Sequence, residues 1–101
     1  VDWMNTTCVL YRMEALPTPP FSSHFEGYSL SEDVTLSMTV AKNWQIATHL
    51  GAVIYHDSQP GDHKSDVRKL AKMELVNRLY VMKRILGKES IIDYLKLFIW
   101  E

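Results

Sequence analysis

The chain has 101 residues, of which 47% are apolar and 23% charged, and its formal net charge is −1. That length suits one domain, residues 1–101, burying about 60 to 70% of its unfolded surface, and the composition excludes a disordered tail, a low-complexity tract or a repeat array. A single cysteine, Cys8, excludes an intramolecular disulfide, and no stretch reaches the roughly 18 consecutive apolar residues of a membrane span.

A lone thiol favours a reducing compartment, and no basic region leads into an apolar run at the amino end as in a signal peptide. The expectation is a cytoplasmic protein with no membrane contact. Residues 1–3 precede Met4 and are set apart from the fold as a tag remnant or a trimmed start. The small net charge hides an asymmetry. Residues 1–60 carry Arg12 and Lys42 against six carboxylates, whereas 63–88 carry eight basic residues against Asp66 and Glu74. A basic helix beside an acidic half can pair with it inside one chain, pair across a dimer, or present a cationic stripe to an acidic partner.

In chain order, "TTCVLYRMEAL" (6–16) is rich in β-branched and aromatic residues and partly alternates, which predicts a short amino-terminal strand. "PTPPFSSHFEGYS" (17–29) has three prolines in four positions and reads as a loop, with Phe21, Phe25 and Tyr28 available to tack it onto a core. Two patterns compete in the next segment. Val34, Leu36, Met38 and Val40 alternate with Thr35, Ser37 and Thr39 as a half-buried strand would. Against that, Ser29 and Glu32 fit a capping box, and Leu36, Val40, Trp44, Ala47, Leu50 and Ile54 recur at helical spacing. One helix over about 31–56 is the favoured reading, and a second strand at about 34–40 in an α+β fold is the alternative.

Pro60-Gly61 and its polar neighbours mark a turn. A second helix follows, with Ser65 or Asp66 as its cap and Gly87 past its carboxyl end. Ser90 can cap a final apolar element, "IIDYLKLFIWE", in which Ile91, Ile92, Leu95, Phe98 and Ile99 suit a helix with a wide apolar face, though "LKLFIW" could as easily finish as a strand. The expected fold is therefore mainly α: a helical hairpin and a short carboxyl-terminal apolar helix, with a short amino-terminal β-strand.

The second helix carries the functional argument. At about 100° per residue, Lys64, Arg68, Lys69 and Lys72 form a basic outer face in its first half. Leu75, Leu79, Met82 and Leu86 then fall in the same sector, while Leu70, Met73, Tyr80, Val81 and Ile85 occupy the other side. A helix apolar all round is normally covered all round. The final segment can supply one cover. The functional alternative is a second copy of the chain or another protein, with Leu75, Leu79, Met82 and Leu86 as the interface.

Motifs for catalysis are lacking: there is no Gly-rich phosphate loop, HExxH, GxSxG or paired CxxC. Cys8 reads as a packed thiol, and His56, Asp57, Asp62 and His63 around the turn match no metal-site spacing, so no metal or cofactor is expected. The function expected is that of a small non-enzymatic regulatory or adaptor protein, a homodimer or a docking module. The alternative is nucleic-acid binding through the basic helix 64–84, with Lys64, Arg68, Lys69 and Lys72 on phosphates.

Overall fold

The computed structural model describes residues 3–26, 30–57, 59, 61 and 65–99. It is mainly helical, and among the described residues no strand forms. Its helices are α1 (Glu32–Ala41), α2 (Val67–Tyr80), continued without a break by a π-helical turn (Val81–Ile85), and α3 (Ile91–Ile99).

The expected amino-terminal strand is replaced by two 3-10 turns, Thr6–Cys8 and Met13–Ala15, with Val9 and Arg12 extended between them. A strand needs a partner to take up its amides and carbonyls, and the one segment that could have served, 34–40, is inside α1. Asn5 instead starts the first turn by accepting the Thr7 amide at 2.7 Å, and the Met4 amide reaches across to Ser37 Oγ of α1 at 3.1 Å.

Alternation in 34–40 thus reports a helix with buried hydroxyls. Thr35, Ser37 and Thr39 each donate to a carbonyl one turn back, Ser31, Asp33 and Thr35 respectively, at 2.7 to 2.9 Å. This bonding lets small polar side chains sit inside without orphaned groups, and Ser37 is fully buried. Glu32 and Asp33 occupy the first turn, where negative charge suits the helix dipole. Ser31 precedes them at φ 72° with no side-chain cap, and the expected cap Ser29 lies outside the described residues.

α1 is far shorter than the expected 31–56. The amides of Asn43 and Trp44 both turn back to the Val40 carbonyl, and the chain leaves the helix to bury Ile46. Beyond it lie β-branched residues and Gly51, all poor helix formers. Leu50 is 97% exposed and Val53 and Tyr55 nearly as much, so no packing surface repays the ordering of further turns.

α2 begins at Asp66, whose carboxylate accepts the Lys69 amide at 3.0 Å. Pro60, the predicted turn residue, lies outside the described residues. The helix widens over Val81–Ile85, where Leu86 N–H bonds the Val81 carbonyl five residues back. It ends at Gly87, left-handed at φ 62°, as the Lys88 amide closes onto Met82 O. α1 and this helix, joined by an irregular connection, pack together in a hairpin-like arrangement. The contact is between α1 and the π-helical turn, and the small core there is Leu36, Val40, Ile46, Val81 and Met82. Buried Asn77 ties α2 to the chain just before α1 by donating to the Leu30 carbonyl at 2.6 Å.

Tyr80 holds the proline-rich loop. His24 stacks on it at 4.1 Å, buried Phe25 meets it edge-on at 5.5 Å, and its hydroxyl lies 3.3 Å from that of Ser22. Of the three aromatics expected to tack the loop, Phe25 does so, Phe21 is exposed and Tyr28 lies outside the described residues.

Candidate protein interface

The four apolar residues predicted as an interface do not share one environment. Leu75 and Leu86 are 40% and 44% exposed, Leu79 is half-buried, and Met82 is 8% exposed within the core. Leu75 and Leu79 differ upstream of the π-helical turn, so docking of the helix on its neighbours sets their exposure; the extra residue of that turn, Val81–Ile85, then displaces Leu86 from the sector of an ideal helix. Met82 turns toward α1, and Met82 and Leu86 share the wall of a cleft of about 750 Å³ with Trp3, Val34, Met38 and Leu97.

The basic face is more uniform. Arg68, Lys69 and Lys72 are all exposed, and among the described residues none of them joins an ion pair. Lys64 lies outside the described residues. Two ion pairs among the described residues are local: Glu74 with Arg78 at 2.7 Å, one turn apart on α2, and Lys83 with Glu89 at 3.6 Å across the Gly87 turn. Both are solvent-exposed pairs of a kind worth at most about 1 kcal/mol.

The final helix holds the larger apolar surface. Ser90 and Asp93 start it with a reciprocal capping box: Ser90 Oγ accepts the Asp93 amide at 3.2 Å, and Asp93 Oδ2 accepts the Ser90 amide at 3.0 Å and its hydroxyl at 2.7 Å. The Ser90 hydroxyl first, then its amide, hold the Asp93 carboxyl below the usual carboxylate range, with Lys88 and Lys96 adding to the effect. α3 rests against α2, but its half-buried residues are Asp93, Tyr94 and Leu97. Ile91, Ile92, Leu95, Phe98 and Ile99 are all 54 to 79% exposed.

The sequence leaves this segment open between a helix with a wide apolar face and a strand finish over "LKLFIW", and the structure makes it a helix throughout Ile91–Ile99. That the face points outward is invisible in the sequence, because the rotation of a helix about its axis is set by what it docks on. The expected cover for α2 therefore adds exposed apolar surface of its own.

One buried polar group stands apart. Among the described residues the Tyr11 hydroxyl, beside that of Ser37, meets no group in full hydrogen-bond geometry. Burial first, then the charge of Asp33, raise its pKa above the ordinary phenol value, and the neighbouring Ser37 hydroxyl partly offsets this. Cys8 is exposed, contrary to the packed thiol expected of it. Among the described residues no group of three or more His, Cys, Asp or Glu side chains is placed to hold a metal ion, and Asp62 and His63 of the turn lie outside them. No described helix is long and apolar enough to cross a membrane. Compared with protein-family models, curated proteins and solved structures, the chain matches none.

Proposed function

We propose that the chain is a small, non-enzymatic interaction module that self-associates through apolar helix surface and acts by occlusion or scaffolding as a regulator or adaptor. One observation carries this reading. Among the described residues six apolar side chains are buried, while eighteen large ones are exposed by 40% or more, and single exposed apolar residues are ordinary but clustered ones mark contacts. Leu75 and Leu86 are the exposed anchors of the α2 face, Leu79 is its half-buried neighbour, and Met82 backs it from the core. Arg68 and Lys72 steer acidic surfaces toward that face.

Sedimentation velocity over a wide concentration range tests it. The expected result is a concentration-dependent dimer. A chain that stays monomeric at every concentration overturns self-association.

A second reading, phosphate contact by Arg68, Lys69 and Lys72, is favoured by their exposure without ion pairs. It requires that affinity for a mixed-sequence duplex fall steeply between low and moderate salt and vanish in Arg68→Glu with Lys72→Glu. Absence of binding at low salt removes it.

A further inference from the structure

We infer that the outward arc of α3 is the centre of a two-fold contact between two copies of this chain, an inference that rests on the self-association proposed above and locates it. At about 100° per residue, Phe98, Ile91, Leu95, Ile99 and Ile92 fall within an arc roughly 120° wide. The capping box of Ser90 and Asp93 holds the start of this helix, and its half-buried side faces α2, so the arc is presented outward by a docked helix.

Three observations select a second copy as the occupant. The first is area. Five large side chains more than half exposed present on the order of 500 Å² of apolar surface, comparable to the largest patch on a typical monomer and over half of the roughly 800 Å² each partner gives to a standard interface. The second is composition. The arc holds no charge and no hydrogen-bonding group, as in the core of homodimer interfaces, which are more apolar than transient ones. The third is symmetry and charge. Leu95 is the midpoint of Ile91–Ile99, so a two-fold axis beside it brings Ile91 of one copy near Ile99 of the other, and a chain of net charge −1 offers little repulsion to its own copy. A lipid surface fits less well, since interfacial helices carry a strongly basic polar face and α3 has one lysine, Lys96, and one acid, Asp93.

The experiment uses the full chain. In sedimentation velocity, Leu95→Asp is expected to weaken dimerisation at least a hundredfold with unchanged circular dichroism, and Leu75→Asp to weaken it tenfold or less. Independently, Leu95→Cys in a Cys8→Ser background is expected to form an intermolecular disulfide on mild oxidation, a positive result that does not depend on a disruptive charge. Loss of the dimer in Leu75→Asp with Leu95→Asp unaffected and no cross-link overturns the α3 contact and leaves self-association standing. A wild-type chain that is monomeric throughout overturns both. A monomer that instead co-sediments with phosphatidylcholine–phosphatidylglycerol vesicles, and loses this in Leu95→Asp, assigns the arc to lipid and overturns the dimer.

Discussion

Helices α1 and α3 are nearly equal in length, ten and nine residues, and dispose of their side chains in opposite ways. α1 buries Thr35 and Ser37 along with Leu36 and Val40, whereas α3 has no buried residue and turns its isoleucines, Leu95 and Phe98 outward. Burial in this chain follows position in the packed layer more closely than side-chain polarity. Hydroxyls are admitted to the interior because each returns its proton to a carbonyl of its own helix, so that desolvation leaves nothing unpaired. α3 gains little from its apolar residues within the monomer, and its own start relies on the Ser90–Asp93 box.

Truncation tests the contrast most strongly. Leu36→Ala removes a side chain only 4% exposed and should cost about 3 kcal/mol in urea unfolding, from lost burial and the cavity left behind. The same truncation at Leu95, measured at protein concentrations too low for association, should cost less than about 0.5 kcal/mol. Equal costs would mean that Leu95 is buried in the monomer and would erase the difference between the helices.

A smaller effect is expected at the α3 cap. Ser90→Ala removes the two bonds of the Ser90 hydroxyl and leaves the backbone amide at position 90 bonded to Asp93; it should cost about 1 kcal/mol, seen as faster amide exchange over 91–94 while α1 is unchanged. The pH dependence follows from the lowered Asp93 pKa. The carboxylate contributes its stabilisation fully above its ordinary pKa, and the contribution is lost as pH falls through the lower native value. Asp93→Asn should remove that acid-side change in amide protection, and an unaltered acid profile would discount the box.

The smallest effect concerns a polar group beside α1. Tyr11→Phe deletes a buried hydroxyl that makes no hydrogen bond of full geometry among the described residues, so stability near neutral pH should stay level or rise slightly. With its pKa raised in the native state, Tyr11 contributes stability that is complete below the ordinary phenol pKa and is lost as pH rises toward the native value. The variant should therefore blunt alkaline unfolding. A clear loss of stability at neutral pH would show that the hydroxyl has a partner.

Several features were legible from local chemistry alone. The helical class, the Asp66 and Ser90 caps, Gly87 past the end of the long helix and an apolar helix at the carboxyl end all depend on residues within one turn of each other. The amino-terminal strand does not form because its β-branched pattern states a preference and not the presence of a strand to pair with. The helix expected over 31–56 stops at Ala41 because the stripe from Trp44 to Ile54 has helical spacing but nothing to pack on.

What the sequence determined by itself, then, is the composition of each element: a second helix basic at its start and apolar beyond, and a final helix with a continuous apolar arc. Which of those residues face inward was decided only in the tertiary structure. Periodicity specifies the angles between side chains on one helix, whereas the absolute rotation comes from contacts between helices, at Met82 from the packing of α1 on the π-helical turn. For that reason Met82 is core, Leu75 and Leu86 are half open, and the arc of α3 lies outside.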